Sequence, residues 1–169
     1  MALTAGTWRI MDASMVGAQP INEVSTTQNH PLGTIVRAMD SGTTAYGAGE
    51  FMYVKGVTSG ATGAWVTVNM DDGSCSLLAA DAIGPVGVMM ATLDAATDFG
   101  WVQISGKAIG NCLTGFADNG KVYATATAGS IDDASVAGDL VVNAKGASAI
   151  DTLQAEFEIA RPFVGDVFP

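Results

Sequence analysis

Residues 153–161 read LQAEFEIAR, a stretch in which apolar and polar side chains alternate. Every second side chain is apolar, namely Leu153, Ala155, Phe157 and Ile159. The side chains between them are polar, namely Gln154, Glu156 and Glu158. Because successive side chains of a β-strand point to opposite faces, the pattern predicts a strand with one buried and one solvated face. We therefore expect Phe157 and Ile159 to be buried, and both glutamates to face solvent or a polar contact.

Shorter runs of the same kind recur along the chain, and clusters of Gly, Asp, Asn and Ser separate them. The runs that predict strands cover residues 33–39, 50–57, 64–70, 75–79, 85–91, 101–105, 121–127 and 139–143. No long stretch has the period of an amphipathic helix. Many short strands at close spacing are typical of a β-sandwich or β-barrel-like domain, so the sequence predicts an all-β fold of about nine or ten short strands.

Residues 1–32 differ from the remainder, which we assign to a single β-domain over residues 33–169. The N-terminal stretch shows no alternation, contains two prolines and carries its large apolar side chains singly. A segment of this kind cannot build a hydrophobic core of its own. We interpret it as an extended N-terminal arm that lies on another surface.

The predicted arm offers candidate interface residues, namely Trp8, Ile10, Ile21 and His30. Burying one large apolar side chain contributes about 1.5–3 kcal/mol, whereas ordering the backbone costs about 1–2 kcal/mol per residue. Backbone pairing with a strand edge of a neighbouring subunit is therefore expected to supply the difference. On this hypothesis the arm does not join the sheet of its own chain, and deletion of residues 2–28 leaves that sheet intact while assembly is lost.

The composition limits the partners that the chain can have. It carries 17 acidic and 7 basic residues, a formal net charge of −10, and the basic residues are scattered singly. Such a charge repels phosphate backbones, so we expect no binding to nucleic acid.

The most apolar run, residues 77–93, contains Asp81 and Pro85, whereas a membrane-spanning helix needs about 20 predominantly apolar residues. We expect no membrane segment, and interpret the 49% hydrophobic content as that of a subunit buried in an assembly.

Residues 99–110, FGWVQISGKAIG, place a glycine before Gly106 and Lys107 and invite comparison with a phosphate-binding loop. Such a loop reads G-x-x-x-x-G-K-[ST], follows a strand and begins a helix. Here the spacing from Gly100 is wrong, Ala108 follows the lysine, and the intervening WVQIS has a strand pattern. Because the N–H groups of a strand are committed to the sheet, they cannot cradle a phosphate. We interpret Gly106 as a bend or bulge between strands.

Other chemical signatures are lacking in the sequence. His30 is the single histidine, and no motif connects it to a nucleophile. The Asp-rich turns that begin near Asp71 and Asp132 lack the spacing of a calcium loop, and we interpret them as solvated turns. Cys75 and Cys112 lack metal or redox spacing and are interpreted as buried reduced thiols. The sequence therefore predicts no catalytic residue, cofactor or metal, and a protein that is not an enzyme.

The order of the predicted strands resembles that of a known protein family. The segments that carry the resemblance are HPLGTIVRAMD (30–40), GAGEFMYVKGV (47–57), FGWVQISGKAIG (99–110), GFADNGKVYATATAGSIDD (115–133) and AEFEIARPF (155–163). Together they resemble the capsid decoration (cement) proteins of tailed bacteriophages. The resemblance implies a β-rich, non-enzymatic protein that is made in the host cytoplasm and attaches to the outer surface of an icosahedral capsid, often as a trimer. Its implied partners are the major capsid protein and further copies of the chain.

Two other classes of function are alternatives to this one. A tail, fibre or receptor-binding β-module is the principal alternative, although sequence repeats or a helical stem, which such modules often have, are not found. A hydrolase or lectin-like domain needs a cleft in which polar and aromatic side chains converge. Trp8, Trp65 and Trp101 lie in separate segments of the sequence, which does not favour such a cleft.

Overall fold

The computed structural model describes residues 3, 6–15, 17–42 and 46–165. Within these ranges the chain forms eleven β-strands, no α-helix and one turn of 3-10 helix at Ala13–Met15. None of the described segments is a helix long and apolar enough to cross a membrane. The predicted all-β class is confirmed, with an antiparallel sheet that stays open.

The strands are β1 (Trp8–Ile10), β2 (Ile35–Asp40), β3 (Ala48–Lys55), β4 (Trp65–Val68), β5 (Cys75–Leu77), β6 (Gly84–Met89), β7 (Phe99–Asn111), β8 (Lys121–Ala124), β9 (Ile131–Asp132), β10 (Leu140–Gly146) and β11 (Gln154–Val164). Their order in the sheet is β1-β2-β3-β7-β6-β11-β10-β8-β9, with β5 joined through β4 to β6 and a further pairing of β7 with β11. Nine strands overlap the predicted runs. β1 and β9 were not predicted, because two or three residues are too few for an alternating pattern to be recognised.

β7 is the longest strand and organises the sheet, since it pairs with β3, β6 and β11. A bulge shifts its register opposite Glu50 and Phe51. Gly106 follows with a φ of +101°, which residues with a side chain rarely adopt, and a Cβ atom there would lie 2.7 Å from the carbonyl oxygen of Ala48. The predicted bend at Gly106 is confirmed, but it lies inside one continuous strand.

The alternation in β11 buries one face of the strand in the largest hydrophobic cluster. Phe157 is fully buried, with its ring centroid 5.0 Å from that of Trp65 and 5.2 Å from that of Phe116. Ile159 is 4% exposed, so the predicted burial of both side chains is confirmed. Leu153 is the exception: it lies in the turn before β11 with a φ of +63° and is 56% exposed, because the turn takes it out of the strand alternation.

Residues 51–54 of β3 are buried on both faces of the sheet, which explains their uninterrupted apolar sequence, FMYV. Met52 and Val54 belong to a cluster that the β4–β5 hairpin helps to cover. Phe51 and Tyr53 point to the other face and pack with Trp101 of β7 in a third cluster. The segment that precedes β2 covers this third cluster. The N-terminal part of the chain is therefore needed to complete the core.

Candidate interaction surfaces

The N-terminal segment takes part in the sheet of its own chain. β1 pairs antiparallel with β2, which places Trp8 opposite Asp40 and Ile10 opposite Ala38. The expectation that the predicted arm would not join its own sheet is therefore wrong for β1. The free edge of β2 accepts a short strand, and such pairing needs no alternating sequence. The following positions of the predicted arm lie outside the described residues: 1, 2, 4, 5 and 16.

All four candidate interface residues contact other residues of the chain itself. Ile21 is fully buried, and Trp8 is 8% exposed with its ring centroid 4.9 Å from that of Phe51. Ile10 is half-buried against the third cluster, to which Trp8 and Ile21 belong. Trp8 and Ile21 therefore fill the core of their own chain instead of projecting as anchors, because β3 and β7 leave an apolar face that must be covered. A role of the segment in subunit contacts stays a prediction.

Gln19 is almost fully buried and makes six hydrogen bonds, three within the N-terminal segment and three to residues of β3 and β7. The backbone N–H of Gln19 donates to His30 Nε2 (3.1 Å), and its side-chain Nε2 donates to the carbonyl oxygens of Glu23 and Phe99 (both 2.9 Å). Its side-chain Oε1 accepts from Asn29 Nδ2 (3.0 Å) and the Tyr53 hydroxyl (2.7 Å), and its backbone carbonyl oxygen accepts from Trp101 Nε1 (3.0 Å). His30, the fourth candidate, lies with its ring centroid 4.9 Å from that of Tyr53 and 5.5 Å from that of Trp101. All polar groups of Gln19 are thus satisfied, as a buried amide requires.

The outer face of β1 and β2 carries exposed basic and apolar side chains. Its exposed residues on and beside these strands are Arg9, Met11, Ile35, Arg37 and Met39. Arg9 lies directly opposite Met39, and side chains directly opposite in antiparallel strands share a face. Arg161 of β11 extends toward the same surface, where its guanidinium contacts Glu50 of β3. We call the five exposed residues and Arg161 the arginine face.

The arginine face contains all three arginines of the chain. Arg161 forms an ion pair with Glu50 (Nε–Oε2 3.2 Å), whose hydrogen bonds and charge raise the pKa of Arg161. Arg37 lies opposite Glu50 across β2 and β3. Among the described residues, neither Arg9 nor Arg37 forms an ion pair. The basic residues are scattered along the sequence, but strand pairing brings the three arginines together in space.

A second exposed apolar surface lies where β6 and β10 begin and β11 ends. The exposed fractions are 70% for Ile83, 56% for Met70, 44% for Phe163 and 40% for Val142. Phe163 lies directly opposite Pro85 on β6 and Val142 on β10, so these three side chains share a face. Met70 and Asp71 line the same surface groove of about 380 Å³ as Ile83 and Pro85. We call the four exposed apolar residues and Pro85 the Ile83 patch.

A small cavity of about 70 Å³ is lined by residues of β1, β6, β7 and β11, and charged groups meet beside it. Lys107 Nζ lies 2.7 Å from Glu156 Oε2 and 5.2 Å from the ring centroid of Tyr46. Burial, followed by the charge of Glu156, raises the pKa of Tyr46 to about 12. Glu158 is exposed and pairs with Lys145 at 3.2 Å. The two glutamates thus form the predicted polar face of β11, and each is paired with a different lysine.

Carboxylates of the Asp-rich turns accept hydrogen bonds from other groups of the chain. Asp72, in the β4–β5 turn beside Asp71, accepts hydrogen bonds from the Ser74 hydroxyl (2.7 Å) and amide (3.0 Å), which lower its pKa. Asp133 accepts a hydrogen bond from the Ala117 amide at 3.1 Å. Within the described ranges, no group of three or more His, Cys, Asp and Glu side chains is arranged to hold a metal ion.

Cys75 and Cys112 are free and buried in different hydrophobic clusters, as predicted. The pKa of Cys75 is raised to about 12 and that of Cys112 to about 11, mainly because both thiols are buried. Because the thiolate is the reactive form, we expect neither thiol to react with a maleimide at mildly alkaline pH until denaturant unfolds the chain. Mass spectrometry after labelling in both states measures this, and rapid labelling of the folded protein would contradict the burial of the thiol concerned.

The same thiols make stability depend on pH in the alkaline range. Their folded pKa values are raised, so their contribution to the free energy of unfolding is fully present below the pKa of the unfolded thiols. It is lost progressively as the pH rises through the folded values.

The three tryptophans do not form a surface for carbohydrate. Trp65 and Trp101 are fully buried, and Trp8 is nearly so. A lectin-like cleft stacks sugars on exposed aromatic rings, and these three rings are packed in the protein interior. The exposed surfaces best suited to binding are the arginine face and the Ile83 patch, neither of which was predicted from the sequence.

Comparisons of the chain with protein-family models, with curated protein sequences and with solved structures find no match. The resemblance to capsid decoration proteins stays a prediction, as does the absence of enzymatic activity.

Proposed function

We propose that the chain is a non-enzymatic structural protein that binds the outer surface of a tailed-bacteriophage capsid and stabilises it. Its partners are the major capsid protein and further copies of itself, as a homotrimer, and its location is the exterior of the virion. The observation that carries the proposal is the Ile83 patch, an exposed apolar surface on regular strands. The order of the predicted strands, which resembles that of decoration proteins, gives the partner its identity.

The Ile83 patch has the properties of a surface for another protein. Contiguous apolar patches on soluble proteins commonly mark sites of protein contact. Phe163 and Val142 project outward from strands whose neighbouring side chains, Val164 and Val141, are buried in the main cluster. The backbone beneath the patch is therefore held by the core. A surface that is rigid before binding loses little conformational entropy when it binds, which favours affinity.

The charge of the chain supports an exterior location. A net charge of −10 disfavours the inner surface of a capsid, where packaged nucleic acid is concentrated. It is compatible with the solvated outer surface. Asp71 lies in the groove beside Met70 and Ile83, so the complementary surface on the capsid subunit is expected to be apolar with basic residues at its border.

The proposal is tested by mixing the purified protein with capsids that were assembled without it. Wild-type protein is expected to co-sediment with the capsids in a saturable manner. Ile83→Asp is expected to weaken this binding by about 30- to 100-fold, since it places a charge in an apolar contact. Val136→Asp is the matched control, because Val136 is also exposed (46%) but lies outside the patch.

Two results would contradict the proposal. One is wild-type protein that does not bind capsids, and the other is Ile83→Asp that binds as tightly as Val136→Asp. Saturable binding of the wild-type protein to host cells, without binding to capsids, would instead favour the receptor-binding alternative.

A further inference from the structure

We infer that the arginine face is the surface by which one copy of this chain binds an acidic surface of a second copy. This inference deepens the proposed function, which requires several copies, and rests on it in that respect. It does not depend on attachment to a capsid. The residues concerned are separate from those of the Ile83 patch, so the two surfaces can be altered independently.

The composition of the arginine face is that of a protein contact. Arginine and methionine are both enriched in protein–protein interfaces relative to the remainder of the surface. Met11, Ile35 and Met39 are exposed, and the alternation of β2 holds Ile35, Arg37 and Met39 on one side of the sheet. Apolar and cationic side chains therefore alternate on the paired strands β1 and β2, and the face is not a continuous basic stripe.

Charge complementarity identifies a second copy as the occupant. The basic residues outside the arginine face are four lysines, whereas the chain has 17 acidic residues. Two of these lysines, Lys107 and Lys145, are already paired with glutamates of β11. The remaining surface of the chain is thus strongly acidic, and it complements Arg9 and Arg37, which form no ion pair with described residues. Nucleic acid is the less favoured polyanion, because the net charge of −10 repels it.

The positive charge of the arginine face also bears on the symmetry of the contact between two copies. An isologous dimer through this surface would place the arginines of one copy near those of the other, and like charges would oppose it. A heterologous contact, with the arginine face of one copy against an acidic surface of the next, avoids this repulsion and is the geometry that we infer. Heterologous contacts of suitable geometry close into rings, which is compatible with the proposed trimer.

Sedimentation velocity over a wide range of protein concentration tests the inference. Wild-type protein is expected to self-associate, and less so at high ionic strength because salt screens exposed charges. Arg9→Glu is expected to weaken self-association by about 10- to 100-fold. Lys121→Glu is the matched control: it makes the same change of charge at an exposed position on β8, opposite Lys145, and should leave self-association unchanged.

A second variant guards against an effect on folding. Arg37→Gln removes one charge without placing a carboxylate opposite Glu50, and it should weaken self-association while the thermal unfolding midpoint stays close to that of the wild type. A wild-type protein that remains monomeric at every concentration would overturn the inference. Equal association of Arg9→Glu and Lys121→Glu would also overturn it, as would retention on a heparin column without self-association. None of these outcomes depends on capsid binding, so failure of this inference is distinguishable from failure of the proposed function.

Discussion

Replacing Phe157 with alanine is expected to lower the free energy of unfolding by about 3–5 kcal/mol, the cost of emptying a fully buried aromatic site. Phe157 is 0% exposed and lies between the rings of Trp65 and Phe116, at centroid distances of 5.0 and 5.2 Å. Its removal leaves a cavity that strands of a sheet cannot easily collapse to fill. Urea denaturation followed by circular dichroism measures the change.

The chain provides a matched control on the same strand. Phe163 lies six positions further along β11 but is 44% exposed. Phe163→Ala is therefore expected to cost less than about 1 kcal/mol, as surface substitutions usually do. Equal losses of stability in the two variants would show that β11 has a different register, with neither face exclusively in the core.

The features that were predictable from the sequence are those encoded by neighbouring residues. Alternation over LQAEFEIAR was sufficient to predict that Phe157 and Ile159 are buried and that Glu158 is exposed. The broken spacing before Gly106 was sufficient to predict a bend instead of a phosphate loop. The burial of Leu153 was predicted wrongly, because the left-handed turn at that position keeps it out of the alternation, which starts with β11 at Gln154.

The candidate surfaces depend on pairing between distant strands, so the sequence did not reveal them. Arg9, Arg37 and Arg161 share a surface only because β1 pairs with β2, and because Arg161 reaches Glu50 of β3. The Ile83 patch similarly requires that β6, β10 and β11 meet. Neither arrangement leaves a local pattern in the sequence.

The covering role of the N-terminal segment did leave a signal. The apolar run FMYV in β3 has no polar alternate, which indicates burial on both faces. The β4–β5 hairpin helps to cover one of these faces, and the other needs a cover that the predicted strands do not supply. Isolated apolar residues such as Trp8 and Ile21 meet that need. This observation favours an N-terminal segment that belongs to the core.

The burial of Ile21 and the hydrogen bonds of Gln19 reverse the expected result of deleting residues 2–28. Ile21 is 0% exposed, and Ile→Ala changes at such sites cost about 2–5 kcal/mol. Gln19 accepts from the Tyr53 hydroxyl and the Trp101 indole N–H. A buried group left without its partner costs about 1–3 kcal/mol.

Deletion of residues 2–28 is therefore expected to abolish cooperative unfolding, because these losses together approach the total stability of a domain, about 5–15 kcal/mol. Near-UV circular dichroism should lose the signal of ordered Trp101 and Tyr53, and thermal scans should lack a sharp transition. Ile21→Ala tests the same contact with one substitution, and Val24→Ala is its control, because Val24 is 43% exposed in the same segment. A truncated protein that melts cooperatively near the wild-type midpoint would show that β3 and β7 do not need this cover, and that the segment is an appendage of the sheet after all.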